Sequence, residues 1–189
     1  FDRPRLRIDR DDILLISHHI DDVVAHGADE ARLLDIDELH DRARAAAPLG
    51  TFLAALHATE LRACDGAELP GDTIARHDVR GRAPACIERL SHEGEYLGDA
   101  LVDRALAATT ALRDAPPWDG HPVTCHGDLY GRHVLFDDDH QPCGVIDWGD
   151  LHRGDPAVDL GIAYSFLPAH ARPAFFAAYG DVDAGTRAR

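Results

Sequence analysis

The chain of 189 residues has the length of one domain, enough to bury roughly two-thirds of the surface its unfolded form exposes. With 45% hydrophobic and 28% charged residues it is globular in composition, which excludes a disordered or collagenous chain. A formal net charge of −15 argues against a nucleic-acid partner and suits a cationic or metal-neutralised ligand, although excess acid also serves solubility alone.

In chain order, "PRLRIDRDDILLISHHIDD" predicts two short strands, Pro4–Asp9 and Ile13–Ile20, around a polar Arg10-Asp11-Asp12 turn. From Asp35 to Ala63 the pattern is helical, with Ala46, Leu49, Leu53 and Leu56 forming an apolar stripe. Pro48 either kinks this helix or opens a second one. Cys64–Gly81, rich in Gly, Asp and Pro, reads as loop. Ala83–Asp114 reads as helix broken near Gly94 and Gly98, with Ile87, Leu90, Leu97, Leu101 and Ala105 on its buried face. After the breaker-rich "DAPPWDGHP", Val123–Cys125 enters as a strand, "HGDLYGR" is a loop, and "HVLF" pairs with "CGVIDW" around "DDDHQP" as a hairpin. Asp155 is placed as N-cap and Pro156 as first residue of the helix in "DPAVDLGIAYSFL". "ARPAFFAAYG" is another short helix, and "DVDAGTRAR" opens one more.

The four cysteines, Cys64, Cys86, Cys125 and Cys143, form no C-x-x-C pair and read as reduced thiols of a cytoplasmic protein. No signal peptide is visible, and no apolar run approaches the roughly 20 residues that cross a bilayer, so no membrane partner is expected.

The residues that carry chemistry lie between Cys125 and Asp150. Phosphoryl transfer needs a carboxylate to take the proton of an acceptor hydroxyl, and ligands that hold divalent metal against nucleotide phosphates. A kinase loop supplies these as H-R-D-x-x-x-x-N, with a second aspartate after a hairpin. Here His126-Gly127-Asp128 is followed five positions later by His133, and Asp147 follows the hairpin. "HGD" alone is a weak signal; with the fifth-position ligand and "VIDWGD" in order it is a strong one.

These residues, together with "GDPAVDL" just beyond, resemble the aminoglycoside phosphotransferase family, small-molecule kinases related in fold to protein kinases. The resemblance runs from about Ala46 to Arg189 and is strongest between Thr124 and Gly161. It implies an α+β fold: a protein-kinase-like C-terminal lobe over residues 23–189, mostly helical, with a β-hairpin carrying the catalytic loop. Residues 1–22 would be a remnant of the N-terminal lobe strands and the hinge, where backbone near His18 and Ile20 meets the nucleotide base. By the same resemblance Asp128 is the catalytic base, and Asp147 chelates the Mg2+ that bridges the phosphates of ATP or GTP. His126 would hold the loop by hydrogen bonds, and Asp155 and Asp159 would anchor the following helix. His133 stands where the usual residue is asparagine. The macrolide phosphotransferases, a branch of the same superfamily, look similar there, so His133 is expected as a metal ligand, against the alternative of a packing residue at the strand start.

The implied activity is transfer of the γ-phosphate of ATP or GTP to a hydroxyl of a small molecule, aminoglycoside- or macrolide-like, in the setting of antibiotic resistance. The chain departs from the family pattern in having no G-x-G-x-x-G and no lysine at all. It also opens on Phe1 without a methionine, so it is expected to be a fragment or natural truncation of a kinase-like protein that transfers phosphate slowly or not at all by itself. The alternative is a non-catalytic kinase-like module that binds a ligand or partner. Elsewhere, "SHHIDD" offers metal-binding side chains, but neighbouring His18 and His19 on a strand face opposite ways. Arg132 and Arg153 are candidates for phosphate contact, with solvent the simpler expectation for Arg132; Trp148 is expected in the core or as a cleft wall.

Overall fold

The computed structural model describes residues 42–63, 66–76, 78–93, 99–114 and 117–188. The predicted strands Pro4–Asp9 and Ile13–Ile20, the hinge positions His18 and Ile20, and the boundary after residue 22 lie outside the described residues.

A 3-10 turn, Arg42–Ala45, leads into helix α1, Ala46–Ala58. Its apolar stripe is buried as predicted at Leu49, Leu53 and Leu56, joined by Phe52. Pro48 lies in the first turn, where an N–H has no helical acceptor to lose, so it neither kinks nor splits the helix. The helix stops short of the predicted Ala63. Thr59 is extended, its N–H closes on the Leu56 carbonyl at 3.1 Å, and its own carbonyl accepts the Thr124 hydroxyl at 2.5 Å. That tertiary bond ends a helix whose pattern alone would continue.

Helices α2, Val79–Glu93, and α3, Asp99–Asp114, pack chiefly on one another. Asp78 caps α2 by accepting the Gly81 N–H at 2.9 Å. Because this helical pair leans so little on the main core, Leu101 is 50% exposed rather than buried as predicted. An amphipathic stripe states that a face is apolar; what covers it is a tertiary matter.

Two short antiparallel ladders organise the centre. Strand β1, Val123–Cys125, pairs with β4, His152–Gly154, with Cys125 opposite His152. Strand β2, Val134–Phe136, pairs with β3, Pro142–Val145, with an irregularity between Leu135 and Phe136. The predicted hairpin is present, although β3 ends at Val145 instead of running to Trp148. The sequence reading missed β4, since His-Arg-Gly has no strand pattern and owes its extended form to β1. The ladders therefore pin both ends of the 126–133 loop and both ends of the 146–151 segment, setting the two side by side.

Helices α4, Ala157–Leu160, and α5, Ile162–Ser165, follow. Asp155 accepts the Ala157 N–H at 3.0 Å, so it caps as predicted, one position earlier relative to the helix start. Helix α6, Arg172–Tyr179, crosses α1, and α7, Ala184–Ala188, ends the described chain. The crossing is close: a Cβ on Gly50 would lie 2.3 Å from the Phe175 carbonyl oxygen. One core joins Leu49, Leu53 and Leu56 of α1 to Phe136, Trp148, Ile162 and Phe175. The fold is α+β and mostly helical, as expected.

Candidate active site

The 126–133 loop is held from below by one buried carboxylate. Asp159, fully buried on α4, accepts the backbone N–H of His126 at 2.8 Å and that of Gly127 at 2.9 Å. It also pairs with His57 Nε2 of α1 at 3.2 Å, whose Nδ1 meets the Tyr179 hydroxyl of α6 at 2.8 Å. Burial alone would push the Asp159 carboxyl up. The hydrogen bond and charge of His57, with the Gly127 N–H, outweigh it and hold the group below the usual carboxylate range. Three helices thus converge on the loop through one anion. Tyr179 is pushed up to about 12, first by burial and then by the nearby acidic groups.

His57, Cys125 and Asp159 bring nitrogen, sulfur and oxygen within 4.8 Å of one another. Their atoms are already committed: Asp159 to three donors, and Cys125 Sγ to the Asp155 carbonyl at 3.6 Å. Burial, then Asp159 and Asp155, push the Cys125 thiol well up, so it keeps its proton. This cluster is a closed structural hub.

Gly127 makes the turn at φ 88°, in the left-handed region that glycine enters without cost. A Cβ there would stand 2.4 Å from the Asp150 carbonyl oxygen, so the two segments approach as only glycine permits. His126 is fully buried against Trp148, ring centroids 4.7 Å apart. Its Nε2–H donates to the Ile146 carbonyl at 3.0 Å, and its Nδ1 accepts the Asp128 N–H at 3.3 Å. The ring therefore stitches the two segments as a neutral imidazole. Burial pushes it below the ordinary histidine value, against the opposing pull of Asp159 and the Ile146 carbonyl. Its predicted loop-holding role has this physical form. Trp148 is buried as well, and its Nε1–H donates to the Val145 carbonyl at 2.9 Å.

His133, the last residue of a 3-10 turn just before β2, is oriented from both sides. Its Nδ1–H donates to the Asp128 carbonyl at 2.8 Å, which leaves Nε2 for a second partner, as a lone pair in the neutral ring or as an N–H in the protonated one. That Nε2 lies 3.3 Å from Asp147 Oδ2. At this separation the pair can share a proton, or hold a cation between them when the ring is neutral. Cis ligands of a six-coordinate magnesium at about 2.0–2.1 Å would stand about 3 Å apart. Imidazole nitrogen and carboxylate oxygen thus fit a divalent ion in spacing as well as in charge. Asp147 reaches this place from a left-handed backbone, φ 66° and ψ 58°, at the end of the segment leaving β3. His133 thus joins Asp128, through its backbone carbonyl, to Asp147, while His126 and Asp159 support the same loop and Asp155 caps α4 beside Cys125.

Sequence reasoning missed four contributors. Arg76, in the loop before α2, contacts the Gly127 carbonyl at 3.2 Å, Asp128 Oδ2 at 3.4 Å and the Asp150 carboxylate. Asp150, quoted within "VIDWGD" but given no role, is that second anion. His57 and Tyr179 complete the support of Asp159. No local signal marks any of them, because each acts across a long sequence separation. Arg132 is exposed as expected, and Arg153 donates to the Pro122 carbonyl at 2.5 Å.

Residues 21–189 match the family model described as "Phosphotransferase enzyme family". A structure of wild-type aminoglycoside 2'-phosphotransferase-IIIa with GDP aligns at 22% identity and a TM-score of 0.57, over 84% of this chain and 56% of that one. The GDP and kanamycin complex of APH(2")-IIIa aligns at 22% identity and 0.56, over 82% and 54%. The macrolide 2'-phosphotransferase MphH of Brachybacterium faecium is 30% identical, with a TM-score of 0.48, over 81% and 49%. An uncharacterised protein of Bacillus subtilis strain 168, YcbJ, is 30% identical over 76 residues, 35% of this chain and 25% of that one. The chain thus spans about half the length of the solved structures it matches. With its fold shared by aminoglycoside phosphotransferases and most of its length matched by the family model, the chain belongs to the phosphotransferase enzyme family.

Proposed function

We propose that this chain is the catalytic lobe of a small-molecule kinase that moves the γ-phosphate of ATP or GTP to a hydroxyl acceptor. The observation that carries the reading is His133, bonded to the Asp128 carbonyl and 3.3 Å from Asp147, so that one ring ties the proposed base to the proposed metal site. Asp128, partly exposed at the loop surface, accepts the acceptor's hydroxyl proton. The acceptor oxygen then bonds to the γ-phosphorus, the bridging P–O bond breaks, and the nucleoside diphosphate leaves with that electron pair. Asp147 and His133 would hold the Mg2+, whose chemistry is to neutralise phosphate charge and orient the oxygens for displacement. Asp159, His57 and His126 keep the loop backbone in register.

Residues 1–22 are proposed as the end of an N-terminal lobe and hinge, with His18 and Ile20 at the nucleotide base, and 23–189 as the catalytic and acceptor lobe. The acceptor is proposed to be an aminoglycoside- or macrolide-like molecule, by likeness to the proteins above and because a −15 chain attracts cations. The test is phosphate transfer by the product of the complete reading frame, with Mg-ATP or Mg-GTP, to a panel of neutral, cationic and anionic hydroxyl compounds. Transfer to a small-molecule hydroxyl that Asp128→Asn lowers by about 10²–10⁴-fold is expected. Nucleotide binding without transfer to any of them would favour a non-catalytic module.

A further inference from the structure

We propose that Arg76 is the positioning residue of the Asp128 carboxylate, a role that rests on the phosphotransferase reading above. Its guanidinium reaches three acceptors on two segments: Gly127 O at 3.2 Å and Asp128 Oδ2 at 3.4 Å on the loop, and the Asp150 carboxylate on the turn after β3. A planar fork with five donors can span such a set; a lysine ammonium, one compact charge, cannot. The contacts are only partly open to water, with the Arg76 side chain 29% exposed and that of Asp128 35%.

The backbone that presents Arg76 is itself built for the purpose. Asp72 Oδ1 accepts the N–H groups of Ile74 at 3.0 Å and Ala75 at 2.7 Å, closing a turn in which Ala75 takes φ 53°. On one side, the Arg153 N–H of β4 donates to the Pro70 carbonyl at 2.8 Å. On the other, Arg82 of α2 donates to the Ala75 carbonyl at 2.7 Å and the Ile74 carbonyl at 3.1 Å. The turn is therefore tied both to the central ladder and to the outer helical pair. A passing surface arginine has no such mounting.

The consequence for the reaction is orientation. Arg76 engages Oδ2 of Asp128, so Oδ1 remains for the acceptor's proton, at a fixed angle to Asp147 and His133. Arg76 exchanges no proton in the step. Without it the carboxylate loses the contact that fixes its rotation about Cβ–Cγ, and misplacement of a reacting group by about 1 Å costs about 10²-fold in rate.

Two measurements test this. In the 15N-labelled protein, the Arg76 guanidinium N–H signals should show slowed rotation about Nε–Cζ, and Asp150→Asn should release it. Free rotation in the parent overturns the clamp. In phosphate transfer by the complete product, Arg76→Gln should lower kcat by about 10–100-fold with the nucleotide KM unchanged. Arg76→Lys should recover part of the loss, and the Arg76→Gln/Asp150→Asn double variant should be no slower than Arg76→Gln. Parental kcat in Arg76→Gln overturns the assignment, as does equal loss in kcat and in folded fraction. A clamped guanidinium in a protein that transfers no phosphate overturns the phosphotransferase reading and leaves the clamp standing.

Discussion

His133 Nε2 faces a carboxylate oxygen of Asp147 across 3.3 Å. As a metal ligand it should matter most when metal is scarce. His133→Ala is expected to raise the Mg2+ concentration needed for half-maximal transfer, with partial recovery in saturating Mg2+. His133→Asn restores an oxygen donor suited to magnesium and should keep substantial activity. A metal titration of His133→Ala superposing on that of the parent would make the residue a packing group. Asp147→Ala should abolish metal-dependent nucleotide binding. His126 makes a different prediction, because burial depresses its folded-state pKa. The unfolded chain then takes up a proton, near pH about 6.5, that the folded chain refuses. Its contribution to stability is complete above that pH and lost as pH falls toward the folded value. Urea midpoints measured from pH 7.5 down to 5.5 should decline in the parent and decline less in His126→Gln, which can still reach toward the Ile146 carbonyl.

At the scale of elements, two glycines decide how closely segments approach. Gly127 combines φ 88° with a Cβ position 2.4 Å from the Asp150 carbonyl oxygen. Gly127→Ala should therefore both strain the backbone and push the 126–133 loop from the 146–151 segment. Destabilisation of about 2 kcal/mol or more is expected, with transfer activity lost beyond the loss of fold. Gly50 sits at the crossing of α1 and α6, where an added Cβ meets the Phe175 carbonyl. Gly50→Ala should cost about 1–3 kcal/mol by overpacking, read as a shifted denaturant midpoint, while nucleotide KM stays unchanged. The shared lesson of the ladders is that β2–β3 and β1–β4 need little length, because each only has to pin the ends of a loop.

For the whole molecule, the absence of lysine and of a G-x-G-x-x-G stretch bears on what 189 residues can do alone. With no lysine in these residues, phosphate charge would be met by metal and arginine alone. The chain by itself is expected to bind nucleotide weakly and to transfer phosphate slowly or not at all. Calorimetric titration with Mg-nucleotide, beside a turnover assay, checks this. Turnover like that of ordinary small-molecule kinases would mean that other groups within these residues do the work of a phosphate-binding lysine. No helix among the described residues is long and apolar enough to cross a membrane.

Much of the site was legible in one dimension. Asp128, His133 and Asp147 lie within one strand–loop–hairpin unit, so their spacing alone states that they can meet, and they do. The apolar stripe of α1 and the cap at Asp155 were legible for the same reason, since helix periodicity and capping are local physics. Tertiary structure decided the rest. Strand β4 exists because β1 lies beside it, α1 ends where Thr124 takes the Thr59 carbonyl, and Leu101 is exposed because the main core does not cover it. Arg76 reaches Gly127 of the loop across 51 residues of sequence, and His57 reaches Asp159, which holds the loop, across 102. A lone arginine in a loop and a lone histidine in a helix carry no pattern, and only the folded chain places a charge or a hydrogen bond at such a distance.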